Sequence, residues 1–382
     1  MDFSLSEEQQ MLRDGAERYL SQHYDFEKRR AILASAARCD ERHWRQFAEL
    51  GWLALGLPEE VGGIGCTLIE TALIMEVMGR WLVLEPYATT AILSARIVER
   101  SGNAAARAAL LPELAAGSLR LALAHDESGF RQDAGALETK AQRDGAAFRL
   151  DGTKLLAYDA PNAHRLLVTA WLEVQGAPTI WLVDRDAPGV AIESYALIDG
   201  TRAADVVLQG VRLPPEALLA GPELAADVLE DALDRIVLGR VAEALGAMEA
   251  VMEMTAEYLR TRSQFGQPLA KFQALQHRMA EMFVEVQETR SILYRGLAAI
   301  DALPAERQAA VSAAKVVAAA AARVVGGEGI QLHGAIGMTE EYRVGHYFKR
   351  LMVLEKAFGD ADYHLCRLSA TSTRPERRPA AS

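Results

Sequence analysis

Apolar residues recur along this chain with two different periods, and the change of period divides it in three. Met11, Leu12, Ala16 and Leu20 fall on one helical face, and Ser6 with Gln9 three residues later forms a capping box ahead of them. Trp44, Phe47, Leu50 and Leu53 make a second face, and Ile69, Leu73, Val77 and Met78 a third, so residues 1–119 read as an N-terminal helical domain. From Leu121 the texture becomes short apolar and β-branched runs: Leu121-Ala-Leu-Ala, Leu166-Leu-Val-Thr, Thr179-Ile-Trp-Leu-Val and Val206-Val-Leu. Asp144-Gly145 and Asp151-Gly152 are hairpin turn signals on either side of Ala-Ala-Phe-Arg-Leu. Several short strands between helical blocks predict a small β-barrel domain over 120–225. Helix returns from Pro222, with a stripe from Leu229, Leu233, Ile236 and Val237 to Ala244, Leu245 and Met248. A further helix spans 279–302, Asp301-Ala-Leu-Pro304 turns the chain, and Gly326-Gly327 closes an alanine-rich helix over 311–325. The fold class is α+β: helical domain, β-barrel domain, and a C-terminal four-helix bundle over 226–370. Residues 371–382 lack apolar period and read as a disordered tail.

Composition narrows the function classes. The 382 residues suffice for a large core, and 50% hydrophobic with 24% charged is ordinary for a globular protein. The net charge of −11 and the lack of a basic block argue against a nucleic-acid partner. Cys39, Cys66 and Cys366 lie far apart with no metal-ligand spacing, which predicts reduced thiols and no metal site. The acidic, amphipathic N-terminus is no signal peptide, and no apolar run approaches the ~20 residues of a membrane span. The expected setting is cytoplasmic.

Three segments carry candidate chemistry. Leu57 to Thr67 holds three glycines in four residues, so this loop turns tightly or approaches something closely. Tyr258 to Met282 holds a helical corner at Gly266-Gln267-Pro268, flanked by Arg262, Gln264, Phe265, Phe272, Gln273 and Gln276. An arginine fork suits a pyrophosphate, an aromatic edge suits a flat ring, and glutamine amides suit a heterocycle; a surface corner is the alternative reading of Arg and Gln alone. Gly326 to Gly337 is glycine-rich but follows a helix, so it is not a dinucleotide fingerprint.

The corner closely resembles the acyl-CoA dehydrogenase signature R-x-x-F-G-x-P-x-x-x-F-Q-x-x-Q. Residues 331–342 resemble a second signature of that family, Q-x-x-G-[GA]-x-G-x-x-x-E-Y, and Leu57 to Thr67 its P-E-x-x-G-G-x-G loop. The resemblance covers nearly the whole chain. It implies FAD as cofactor, held across a subunit interface by Arg262, Gln264, Phe265, Phe272 and Gln273 and by Gln331, Gly334 and Ala335. It implies α,β-dehydrogenation of an acyl-CoA to the trans-2-enoyl-CoA, electrons leaving through an electron-transfer flavoprotein, and a homo- or hetero-tetramer. His333 reads as a packed or solvated histidine, and Cys66 as a loop residue.

Two departures complicate that reading. Where the family has T-E-P-x-x-G-S-D the chain has His125-Asp-Glu-Ser-Gly-Phe-Arg-Gln-Asp133, of which only Glu127 carries over as a flavin contact. Gly152-Thr-Lys-Leu-Leu-Ala-Tyr-Asp-Ala lacks the family's W-x-[TS] triplet, unless Tyr158 supplies the ring. The reaction needs a carboxylate base of burial-raised pKa, usually a glutamate in an E-G-T triplet. Here the aligned residue is Phe358, in Phe-Gly-Asp. A minority of the family carries the base in an L-E-R-x-V-L segment, which Leu233-Asp-Arg-Ile-Val-Leu resembles. That places Asp234 as base and Arg235 near substrate, unless Asp234 merely pairs with a nearby arginine. A base-lacking partner subunit of a heterotetramer, of the kind acting on bulky steroid-type thioesters, is the alternative.

Overall fold

Ser6 starts the first helix, α1 (Glu7–His23), through a reciprocal pair of bonds. Its hydroxyl accepts from Gln9 N at 3.2 Å, and Gln9 Oε1 accepts from Ser6 N at 3.0 Å. The computed structural model describes residues 4–128 and 137–372, in two compact units, Ser4–Gly239 and Arg240 onward.

In the first unit α2 (Phe26–Ala34), α3 (Glu41–Glu49), α4 (Leu68–Trp81), α5 (Ala95–Arg100) and α6 (Ala104–Ala115) follow α1. Trp44 and Phe47 are buried, and Phe47 stacks on Trp52 at 4.9 Å, whereas Leu50 of the expected stripe stays exposed. The glycine loop before α4 does both things its composition allows. Gly62 and Gly65 take positive φ, and a Cβ on Gly63 would lie 2.0 Å from Leu57 O.

The strands are β1 (Leu121–Ala124), β2 (Lys140–Asp144), β3 (Ala147–Tyr158), β4 (Arg165–Leu172), β5 (Ala177–Asp184), β6 (Val190–Ala196), β7 (Arg202–Leu213) and β8 (Leu218–Ala220). They form one mixed sheet in the order β6-β7-β3-β2-β4-β5-β8, with β1 beside β4. β4 pairs in parallel with β1 along Arg165–Val168 and with β2 at Trp171–Leu172; the other pairs are antiparallel. Leu150, Leu166, Val168, Trp181 and Val206 fill its core. The turn at Gly145 joins β2 to β3 as expected. Asp151-Gly152 is not a turn. It lies inside β3 at a shift of register, and a Cβ on Gly152 would lie 2.4 Å from Thr139 Oγ1, so the glycine serves a close backbone approach.

The helix α7 (Ala225–Thr261) begins in the first unit, and its residues from Arg240 belong to the second. There it is followed by the hairpin β9 (Ser263–Gln264) and β10 (Gln267–Pro268), then α8 (Gln273–Ala299), α9 (Pro304–His333), α10 (Val344–Lys356) and α11 (Ala361–Ser372). α9 packs against α8, α10 and α11, and it corrects one expectation. It is not closed at Gly326-Gly327 but runs on to His333. A Cβ on Gly326 would lie 3.1 Å from Phe348 Cδ2, and one on Gly329 2.5 Å from Val251 Cγ1, so these glycines admit neighbouring helices. Its alanine-rich stretch lies in the core, with Val311, Ala314, Ala318, Ala321 and Val325 buried. By length and composition Pro304–Met338 could cross a bilayer, yet 61% of its apolar window is buried inside the protein, as in a core helix. Of the expected tail, 371–372 belong to α11, and 373–382 lie outside the described residues.

Candidate functional site

The corner after α7 is a β-hairpin closed by Phe265-Gly266, with Gln264 opposite Gln267 and Ser263 opposite Pro268. Both loop residues have positive φ, 53° and 79°, as a type I′ turn demands. For phenylalanine that backbone is strained, and the ring it presents is 90% exposed. Phe272 stands edge-on to it, centroids 6.1 Å apart. The exposed side chains of Arg262 and Gln273 make no hydrogen bond or ion pair among the described residues. Gln276 differs: its amide donates to Ala270 O at 2.8 Å and fastens the corner from inside. The Gln264 amide bonds to Ser263 O.

Where α9 ends, Gly334 adopts φ 65° and ψ −140°, a conformation essentially confined to glycine, with open space where a Cβ would stand. Gln331 and Ala335 are exposed beside it, and the Gln331 side chain is likewise unpaired among the described residues. His333 is packed. Its Nδ1 lies 2.7 Å from Gly329 O, and its ring sits 4.7 Å from Tyr258 and 5.0 Å from Tyr342. A carbonyl only accepts, so Nδ1 carries the proton, and burial pushes the imidazole pKa down. Tyr258 precedes Arg262 by four residues and His333 precedes Gly334 by one, so this contact brings the hairpin and the loop to one end of the helical unit.

On α7, Asp234 is 1% exposed. Arg235 pairs with Asp231, one turn earlier, at 3.5 Å. The same Asp231 oxygen takes Arg96 Nε at 2.5 Å and lies 3.9 Å from Arg100. Sequence reasoning missed this hub, although an acid four residues before an arginine is its signal. Phe358, expected at the usual base position, is buried and in the left-handed region at φ 56°.

Glu127, expected at the flavin, sits in a buried ion pair. Its Oε1 takes Lys154 Nζ at 2.5 Å and Thr139 N at 3.0 Å, and its Oε2 takes Glu138 N at 2.5 Å. Both side chains of this ion pair are almost wholly buried. Burial pushes the Lys154 pKa down to about 8; for Glu127, Lys154 and the amide donors outweigh burial and hold the pKa low. The carboxylate is committed to the sheet. Residues Gly129 to Asp133 of the same motif lie outside the described residues. Further along β3, within the Gly152–Ala160 stretch, Leu156 takes the left-handed region, at φ 51°.

Other candidates carry less. Burial raises the Cys66 thiol pKa, the wrong direction for a nucleophile. A cleft of about 620 Å³ opens among α1, α2 and α3, but its cations Lys28 and Arg42 are paired with Asp25 and Asp40, and it contains none of the site residues. Among the described residues no group of three His, Cys, Asp or Glu could hold a metal.

Comparisons with known proteins address the same segments. The family model of the acyl-CoA dehydrogenase N-terminal domain matches residues 6–118, and that of the C-terminal domain residues 227–372. The acyl-CoA dehydrogenase IpdE2 of Mycobacterium tuberculosis is 31% identical, over 90% of this chain and 91% of its own. The mitochondrial isovaleryl-CoA dehydrogenase of Pongo abelii is 27% identical, over 94% of this chain and 90% of its own. Among solved structures, a variant of the steroid ACAD Tcur3481-Tcur3483 superposes with a TM-score of 0.87 at 31% identity, covering 97% of this chain and 98% of the other. The ChsE4-ChsE5 complex of Mycobacterium tuberculosis gives 0.89 at 27% identity, covering 98% of this chain and 100% of the other. Matched at both ends by the family's models and aligned almost throughout with a 31%-identical relative, the chain belongs to the acyl-CoA dehydrogenase family of oxidoreductases.

Proposed function

We propose that this chain dehydrogenates an acyl-CoA thioester at the α,β bond, with Asp234 as the base. The observation that carries it is the buried carboxylate on α7, within a Leu-Asp-Arg-Ile-Val-Leu segment whose arginine turns away to Asp231. Asp234 takes the α-proton, and Arg235, steadied by Asp231, lies near the substrate. Aspartate is one methylene shorter than glutamate, so backbone or substrate moves closer by roughly 1 Å.

FAD, the family's cofactor, supplies the acceptor for the β-hydride. The residues present fit it. Arg262 offers an uncommitted guanidinium for a pyrophosphate, Phe265 and Phe272 offer ring edges, and Gln273 and Gln331 offer free amides. At Gly334 and Ala335 the backbone is bare enough for close approach. These groups face outward from the unit that carries them, which supports their serving a neighbour's flavin in a dimer or tetramer. Phe283 and Val284 on α8, about half exposed, supply apolar surface for such an assembly. Electrons would leave through an electron-transfer flavoprotein in a cytoplasmic setting.

A second reading is a base-lacking partner subunit. Phe358 at the usual base position supports it, as does similarity to the ChsE4-ChsE5 complex. One experiment separates the two. Asp234→Asn keeps size and removes proton affinity, so flavin stays bound while anaerobic bleaching by acyl-CoA falls ~100-fold to 10,000-fold. Bleaching that appears only with a second dehydrogenase chain, and survives Asp234→Asn, would establish the partner reading instead.

A further inference from the structure

We propose that Lys315, Ser312 and His364 are positioning residues for Phe358, holding the turn that forms one wall of the acyl pocket and so setting the width of thioester accepted. The proposal rests on the reading that Phe358 stands where the family's usual base would face the substrate.

The turn itself is unusual. Phe358 and Gly359 have successive positive φ, 56° and 96°, and L residues with large side chains avoid that region. Gly359 is hemmed in, since a Cβ there would lie 2.5 Å from Tyr363 Cδ1 and 2.8 Å from His364 Nε2. A strained turn persists only where its surroundings fix it, and here two buried polar side chains do so from opposite sides.

On one side His364 Nε2 lies 3.1 Å from Phe358 O and Nδ1 lies 3.2 Å from Ser312 Oγ. The carbonyl can only accept, so Nε2 carries the proton and Nδ1 accepts from the serine hydroxyl. Burial, outweighing the Phe358 carbonyl, pushes the imidazole pKa down to about 3 and keeps the ring in this neutral form. On the other side Lys315 Nζ donates to Ala357 O at 2.8 Å and to Leu354 O at 2.5 Å. Leu354 lies in the last turn of α10 and Ala357 follows it, at the end whose orphan carbonyls draw a cation. Lys315 is 2% exposed in the middle of an alanine-rich helix, where an apolar residue would be the ordinary choice. Burial and the nearby Arg240 push its pKa down to about 7, while Glu355 and Asp360 oppose that shift. The dehydrogenation chemistry gives this lysine no part, whereas one of its two acceptors, Ala357 O, belongs to the residue just before Phe358. Ser312 and Lys315 stand one turn apart on α9, so a single rigid helix carries both supports.

The test is a ratio of affinities. Dissociation constants of a straight-chain and a ring-bearing 2-enoyl-CoA, measured on the intact flavin-loaded protein, give a width preference independent of how much protein is active. Phe358→Ala is expected to change that ratio about tenfold toward the wider ligand. Lys315→Met and His364→Leu are each expected to change it at least fivefold in the same direction, and to add nothing when combined with Phe358→Ala. Ser312→Ala, the mildest change, is expected to give two- to threefold and carries the test should the other variants not fold. A ratio moved by Phe358→Ala but left unchanged by the three supporting variants would overturn the positioning role while the pocket reading stands. No change with Phe358→Ala itself would overturn both.

Discussion

Gly329 and Gly327 lie two residues apart in α9, and the same substitution should act on them with opposite sign. Replacing a helical glycine with alanine gains ~0.8–1.0 kcal/mol of helix propensity wherever the new methyl has room. At Gly327 nothing lies within 4 Å of the point where a Cβ would stand, so Gly327→Ala should stabilise by roughly that amount. At Gly329 the methyl would lie 2.5 Å from Val251 Cγ1 and 3.4 Å from Val344 Cγ2. Carbons in ordinary contact lie ~3.5–4.0 Å apart, so α9 or α7 must move by about 1 Å. Val251 cannot turn aside: it is wholly buried, and a β-branched side chain in a helix has essentially one rotamer. Overpacking of this kind costs about 1–3 kcal/mol, which makes Gly329→Ala neutral to ~2 kcal/mol destabilising after the propensity gain. Urea unfolding midpoints at equal slope measure the difference. A second readout is flavin retention, because a displaced α9 carries Gln331 and Gly334 with it. Equal stabilisation by the two variants would refute the close-packing account of α9.

Arg262→Ala should weaken FAD retention 10- to 100-fold, since a charge-assisted bond to a phosphate oxygen contributes ~1.5–3 kcal/mol; unchanged affinity in flavin titration would return Arg262 to the surface reading. Burial raises the Glu85 carboxyl pKa from 4.5 to about 7. The folded chain therefore keeps a proton that the unfolded chain releases, and stability falls as pH rises from about 4.5 to 7 and then levels. Glu85→Gln should remove that slope and stabilise at pH 8 by up to ~3 kcal/mol, taking ~1.4 kcal/mol per pK unit, with little effect at pH 4.5. Equal effects at both pH values in urea unfolding would show that the carboxyl does not titrate in this window.

How far the sequence could be read depended on whether the governing interaction is local. Ser6 and Gln9 announce α1 because a capping box is complete within four residues. The corner at Gly266 was legible for the same reason, although its form as a β-hairpin was not. Gly326 was misread because a glycine that ends a helix and one that admits a neighbour look alike until the neighbour is seen. Gly152 failed the same way, its partner being Thr139 on the approach to β2. Glu127 fitted a motif, but its commitment to Lys154, 27 residues on, is a property of the sheet. β6 and β8 escaped because one is an exposed edge strand and the other has three residues, so neither shows a period.

Backbone strain recurs in three of the segments that the sequence singles out. Six residues other than glycine take positive φ among the described residues: Arg38, Leu82, Leu156, Asp159, Phe265 and Phe358. Leu82 ends α4, which accounts for its conformation, and aspartate tolerates the left-handed region locally. Of the other four, Phe265 closes the hairpin after α7, Leu156 stands inside β3, and Phe358 follows the end of α10. Each costs about 1–2 kcal/mol for a residue with a Cβ, and the β-carbon penalty is the same whatever lies beyond it. Leu156 and Phe358 have no polar group that such a conformation could aim, so the strain is not explained by their own chemistry. The backbone at Leu156 is instead pinned by a bond from its N–H to Asp205 and from Leu155 N–H to Asp126 O, just as the Phe358 turn is pinned by Lys315 and His364. At Leu156 and Phe358 alike, dedicated polar contacts hold the main chain in costly shapes.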